Sequence, residues 1–273
     1  MMRLIFVLIF LSFIGISTLF AQYEFMHRGS FSGWVNDPGH WREWPDLLSY
    51  EFRAPNRVEK FVNSDKVKSG TYRIIHEYNV PFITFYWDGG TQERNLMLIN
   101  EYIMVLYRDN TMPVFVGLRY DDTRFRRLYS ITASSTLREG HLVYAATPER
   151  LGFHINRVWA VEGGIGEKLF LTLPSPLEHS FIMSIGYVHF SRPYLFQHNS
   201  RPKRVRISLI DDETRFFEHN FEDTPNFQLI RFPWDWEWWI VENIQIEILE
   251  IFPGTRFNHL CINSIFSFNI GGR

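Results

Sequence analysis

The groups in this 273-residue chain that could carry acid–base, metal or nucleophilic chemistry are ten histidines, thirty carboxylates and one cysteine, and their spacing favours none of these. The histidines stand at 27, 40, 76, 141, 154, 179, 189, 198, 219 and 259, with no H-E-x-x-H or other close-spaced ligand pattern. Gly29-Ser30-Phe31-Ser32-Gly33 has the outline of a nucleophile elbow, but Phe31 stands where the serine belongs. Gly163-Gly164-Ile165-Gly166 has the wrong spacing for a dinucleotide fingerprint and leads into a strand, where a phosphate loop needs a helix N-terminus. The acid pairs Asp121-Asp122 and Asp211-Asp212 are adjacent, so in extended chain their side chains diverge. Cys261, between Leu260 and Ile262, reads as a small buried hydrophobe. The chain is therefore expected to be non-enzymatic, with no catalytic residue, metal ligand or cofactor; a hydrolase assembled only by folding is the enzymatic alternative.

Binding chemistry is easier to find. The stretch from Gly186 to Lys203 is aromatic and basic and lies between two strand patterns, the setting in which binding loops occur. Tyr194, Asn199 and Arg201 are the expected ligand contacts, with Trp159 supporting them from the preceding loop. Aromatic faces stack on sugar rings, and Arg and Asn donate hydrogen bonds. The competing reading has Asn199-x-Arg201-Pro202-Lys203 merely bridging strands, with Arg201 paired to Asp211 or Asp212. Ser191 to Arg206 carries five basic residues and no acid, and Asp211 to Asp223 carries six acids, so the two segments are expected to attract one another, with an anionic-ligand site as the alternative. In Pro233-Trp234-Asp235-Trp236-Glu237-Trp238-Trp239, alternate indoles would share a face, either covering the end of the fold or meeting a ligand.

The elements that must hold these residues are strands. Lys168 to Leu173 alternates with Leu169, Leu171 and Leu173 on one face, and Lys203 to Leu209 with Val205, Ile207 and Leu209 on one face. Eight strands are expected in residues 129–270, near Tyr129, Lys168, Phe181, Lys203, Arg215, Phe227, Ile240 and Cys261, a number that suits a jelly roll. Upstream, residues 70–119 read as a small β-meander, with Asp88-Gly89-Gly90 its clearest hairpin. Its strand Pro81 to Trp87 is apolar on both faces, as in a closed or sandwiched sheet, and the meander looks like part of a lipocalin-like one. Residues 22–69 are dense in Gly, Pro and Trp and are expected to be irregular. Residues 120–128 form a charged connector, which predicts that residues 129–273 fold on their own.

Several motifs occur together in the second half. They are Ile131 to Leu137, Gly164-Ile165-Gly166-Glu167 before a strand, Ile185-Gly186-Tyr187, Asn199-x-Arg201-Pro202-Lys203, and Ile248-Leu249-Glu250-Ile251-Phe252-Pro253-Gly254 followed by Phe257 and Cys261-Ile262. In this order they resemble the discoidin-like (F5/8 type C-like) domain attached to secreted bacterial NAD glycohydrolases, over roughly residues 129–268. The resemblance implies a galactose-binding-like jelly-roll β-sandwich serving in translocation or glycan binding, not in NAD chemistry. The chain departs from it at Glu149 to Phe153 and at Asn258, His259, Asn263 and Ser264, so what carries over is the fold and not a particular ligand.

Composition agrees with an exported, all-β protein. Met1-Met2-Arg3 and the apolar run Leu4 to Phe20 read as a signal peptide over residues 1–21, with an uncleaved anchor as the rival. A single cysteine excludes an intramolecular disulfide, so stability must come from a core that 45% hydrophobic and 17% aromatic residues can supply. The net charge of -2 offers no global field for nucleic acid or anionic lipid, and cleavage of the leader would leave no stable membrane span. The expected function is recognition of a carbohydrate or cell-surface protein through the jelly-roll loops, in the periplasm, at the surface or outside the cell. The alternative is a structural or protein-docking role.

Overall fold

The computed structural model of the chain describes residues 30–34, 47–110, 113–118, 123–175, 179–233, 236 and 241–270. The leader, Pro38 to Pro45, Asp121-Asp122 and all of the Trp234 to Trp239 run except Trp236 lie outside them. Among the described residues no helix is long and apolar enough to cross a membrane.

The first half is a closed antiparallel barrel of eight strands: β1 (Ser30–Trp34), β2 (Leu47–Arg53), β3 (Arg57–Val62), β4 (Asp65–Glu77), β5 (Val80–Trp87), β6 (Gln92–Ile99), β7 (Ile103–Tyr107) and β8 (Phe115–Leu118), with β8 paired back to β1. Alternation along β5 sends Ile83, Phe85 and Trp87 inward, where they meet Tyr50, Phe52, Met97 and Phe115; the Tyr50 and Phe85 rings stack at 5.2 Å. The opposite alternation, Val80 and Phe82 on β5 with Leu96, Leu98, Ile103, Val105 and Tyr107 on the next two strands, is apolar because it faces a second core outside the barrel.

The expectation that residues 22–69 are irregular is corrected over 30–34 and 47–69, which supply β1 to β3 and the first part of β4. In β2, Leu48, Tyr50 and Phe52 alternate inward with Ser49, Glu51 and Arg53 between them, and the breakers Pro55 and Asn56 fall in the turn that follows. Residue 70 is thus no boundary but the middle of β4, where a Cβ would come within 2.2 Å of the Tyr86 carbonyl oxygen across the pair. The expected connector is also corrected in part: Thr123–Arg126 is a strand, β9, with Phe125 opposite Phe268. Its alternate arginines made it read as a linker, but charged residues are common on edge strands.

The second half is all-β, a sandwich of two antiparallel sheets. One sheet has the order β10 (Ser130–Ala133), β14 (Lys168–Thr172), β19 (Asn243–Phe252), β16 (Arg201–Leu209), β17 (Phe216–Asn220). The other has β13 (Trp159–Glu162), β20 (His259–Ile270), β15 (Ser180–Ile185), β18 (Gln228–Arg231), with β9 also on β20. Strands lie at all eight expected places; β9, β13 and the two-residue pair β11 (Arg138–Glu139) and β12 (Leu142–Val143) were not anticipated. Leu169, Leu171, Leu173, Val205 and Ile207 point between the sheets as the alternation required. Trp236 closes one end, its ring edge-on to Phe217 at 5.4 Å. On the outer face of β16, Arg204 bridges Glu218 and Glu250, Arg206 reaches Glu218 and Glu247, and Lys203 reaches Glu250. The basic and acidic segments therefore meet as strand neighbours, as expected.

The barrel and the sandwich share one core. The outer barrel residues named above pack against Phe153, Ile155, Ile182, Val188, Phe196, Phe227, Phe266 and Phe268 of the sandwich. Polar contacts cross the same seam: the Asn226 Oδ1 accepts from the Ile99 amide at 3.3 Å, and Arg231 donates to the Tyr102 hydroxyl at 3.0 Å.

Candidate functional site

Strand alternation divides the β13–β20–β15 sheet into two faces with different tasks. Trp159, Val161, Leu260 and Ile262 face the sandwich core, so Ala160 and Cys261, paired across β13 and β20, face outward. The barrel covers this outer face at Ile182, Phe266 and Phe268. At its other end Ala160 and Cys261 floor a cleft of about 290 Å³, walled by the β11–β12 hairpin with Tyr144, the loop after β15 and the turn before β20. Between the two ends β20 carries a bulge at Asn263, where the Ser184, Asn263 and Ser264 side chains hydrogen-bond one another beneath the surface.

Each wall is held by specific contacts. Gly186 ends β15 at φ 82°, and a Cβ there would lie 2.6 Å from the Phe196 ring, so glycine lets the loop fold back on a single helical turn, α1 (Leu195–His198). The β19–β20 turn is clamped to that helical turn by Phe257 N to His198 O at 2.8 Å and Thr255 N to Gln197 O at 2.9 Å, which aims Phe257 and His259 at the cleft. The loop bearing Tyr187 and Arg192 is fastened to the barrel: Asn110 accepts from the Phe190 amide at 2.6 Å, and the Phe82 and Phe190 rings meet edge to face at 5.7 Å.

Inside the cleft the polar groups are sparse and mostly uncharged. The Tyr144 hydroxyl donates to Glu139 at 3.0 Å, and burial together with that carboxylate pushes its pKa up to about 12. Burial raises Tyr187 as well, against the opposing charge of Arg192. The Cys261 thiol is driven up by burial and stays protonated, which makes it a wall and not a nucleophile. His189, behind the loop, is held down to about 4 by burial and by Arg192, whose Nη2 lies 3.0 Å from its Nε2. The cleft thus offers three aromatic rings, two of them phenols, with an imidazole, a carboxyl and a guanidinium group. Among the described residues no three His, Cys, Asp or Glu side chains group as metal ligands.

Of the four residues expected to bind ligand, only Asn199 borders this cleft, and it is buried with its Nδ2 donating to the Leu195 carbonyl at 2.9 Å. Arg201 is a correction. It is 5% exposed, forks onto Asp223 with Nε–Oδ1 2.5 Å and Nη2–Oδ2 2.7 Å, and spends Nη1 on the Asn199 and Phe196 carbonyls. The bridging reading was right in kind, but the partner is Asp223, because Asp211 and Asp212 lie in the turn beyond the far end of β16. Trp159 is likewise corrected: strand pairing turns it into the core, fully buried, with its indole donating to the Ser135 carbonyl at 3.0 Å. Tyr194 lies at the seam, its ring 6.1 Å from barrel residue Tyr78 and 5.0 Å from His198. The cleft residues Glu139, Tyr144, Tyr187, Arg192, Phe257 and His259 were missed; Tyr187 and Phe257 do lie in the motifs quoted above, and His259 is one of the departures from them.

A second cleft, about 320 Å³, opens on the barrel–sandwich seam beside Glu101, Tyr102, Glu222 and Asn226. It is slightly larger, but Asn226 and Tyr102 there already bond across the seam.

No protein-family profile matches the chain, and no curated protein does. Similar solved structures include a family 32 carbohydrate-binding module of AlyQ in complex with 4,5-unsaturated mannuronic acid, at 15% identity and TM-score 0.35 over 52% of this chain and 96% of that one. A family 32 module of NanJ from C. perfringens, in complex with galactose, matches at 15% identity and TM-score 0.37 over 54% of this chain and 99% of that one. A two-domain protein of unknown function from Bacteroides fragilis NCTC 9343 matches at 10% identity and TM-score 0.33 over 93% of this chain and 98% of that one.

Proposed function

We propose that this chain is an exported, non-catalytic carbohydrate-binding protein whose ligand seats in the cleft over Ala160 and Cys261. The observation that carries the reading is the composition of the walls: Tyr144, Tyr187 and Phe257 present ring surface around an apolar floor, while Glu139, Arg192 and His259 stand at the rim. Sugars offer both an apolar C–H face and a ring of hydroxyls, and this arrangement meets both. A single carboxylate among the lining residues suits binding better than glycosidic cleavage, which ordinarily uses two. Attachment to a glycan would also serve the translocation role that the resemblance to NAD glycohydrolase companion domains implies.

The test is a glycan array followed by calorimetric titration of the best binder. Tyr144→Ala and Phe257→Ala are expected to weaken binding about 5- to 30-fold, the worth of one aromatic contact. Full affinity in both variants would remove the cleft from the site. An array with no binder would leave the protein-docking alternative in its place.

A further inference from the structure

We infer that the saccharide is acidic, and that the Arg192 guanidinium takes the carboxylate of a uronic acid residue. This inference rests on the cleft being a saccharide site. Its starting point is an inequality within the basic segment Ser191 to Arg206. Arg201 is forked onto Asp223, Lys203 is paired to Glu250, Arg204 to Glu218 and Glu250, and Arg206 to Glu218 and Glu247. Arg192, the remaining member, is the one that lines the cleft, and no carboxylate of a described residue lies within 4.0 Å of it.

Among the described residues its side chain bonds to His189, at 3.0 Å. A guanidinium has no acceptor and does not lose its proton, so the His189 Nε2 must be the accepting atom and the ring proton must sit on Nδ1. The imidazole thereby orients Arg192 without neutralising it. The cleft's own carboxylate, Glu139, is engaged elsewhere, by the Tyr144 hydroxyl at 3.0 Å and the His259 Nδ1 at 4.0 Å. The two opposite charges of the cleft are therefore not spent on each other. The floor of Ala160, Cys261 and Leu137 lowers the local dielectric, which strengthens any charge pair formed above it. A guanidinium fork matches a planar carboxylate with two parallel hydrogen bonds, a geometry that neutral hydroxyls do not offer.

The test uses the full chain and three probes: trigalacturonate, an alginate trisaccharide and a triglucuronate, each beside its carboxyl-reduced neutral counterpart. At least one acid form is expected to bind about tenfold or more tightly than its reduced form, the worth of a charge-assisted hydrogen bond. Raising ionic strength should narrow the gap. Arg192→Gln should abolish the difference between acid and neutral forms without moving the melting temperature, because Arg192 is exposed. Arg192→Lys should retain part of it, which separates charge reading from a general loss of loop shape. Equal affinity for acid and reduced forms overturns the inference and leaves the saccharide reading intact. A preference that survives Arg192→Gln also overturns it, by assigning the reading to another group. Binding of none of the six probes overturns it too; the glycan array then decides separately whether the cleft takes neutral sugars.

Discussion

Arg201 shows how the same residue type at the same spacing can serve a ligand or the fold. Its guanidinium makes four hydrogen bonds, to Asp223 and two carbonyls, and lies 4.8 Å over the Phe196 ring. Arg201→Ala would strand the Asp223 carboxylate and free the turn that Gly186 folds beneath it. The expected cost is about 2–4 kcal/mol, reduced from the figure for a fully buried pair because Asp223 is 35% exposed on its side chain. Thermal melts should show this loss, while the affinity of the folded fraction for a saccharide stays unchanged. A variant that melts like the parent would return Arg201 to the list of ligand contacts. What the sequence did show was that an aromatic, basic loop would sit between two strands. It did not show which cations were already paired, since that depends on which acids the turns bring within reach, and Asp223 lies 22 residues further on.

At the scale of elements, legibility followed alternation. β14, β15 and β16 were readable because apolar residues recur at every second position over five residues or more. β13 was not, because its apolar stretch is only Trp159, Ala160 and Val161, too short for a period, the first and third buried by the sandwich core and the second beneath the cleft. The β11–β12 hairpin, which builds one cleft wall, has two residues per strand and no period to detect. The barrel strands before residue 70 were hidden by the turn residues between them. The loop carrying Tyr187 and Arg192 depends on a barrel residue that no local pattern marks, Asn110. Asn110→Ala is expected to lower stability by only about 1 kcal/mol, the net worth of such hydrogen bonds. It should also weaken saccharide binding severalfold, although Asn110 does not line the cleft. Titration beside thermal melts would check this, and a stability loss with unchanged affinity would show that the loop holds its shape without the barrel.

For the molecule as a whole, the charged stretch near residue 125 suggests two autonomous halves, whereas the shared core argues for one unit. Phe196, Phe227, Phe266 and Phe268 are nearly or fully buried in it, and each such ring contributes about 2 kcal/mol when removed from water. A fragment of residues 129–273 would lack β9 and uncover these rings together with Ile182. It is expected to bind hydrophobic dye and to melt broadly, while the full chain shows a single calorimetric transition. A fragment that unfolds cooperatively at the parent's melting temperature would establish that the barrel contributes no stability to the sandwich.

The division of one sheet face between the barrel and the cleft also limits how this chain can be recombined in evolution. A sandwich whose loops belonged to it alone could be moved as a unit. Here a part of the cleft wall takes its position from the turn between β7 and β8, so a transplanted sandwich would carry its apolar floor but leave the anchor of Tyr187 and Arg192 behind. New ligand specificities in such a lineage are expected to arise by change within the joined pair, including insertions in the β7–β8 turn, more readily than by exchange of the sandwich for another.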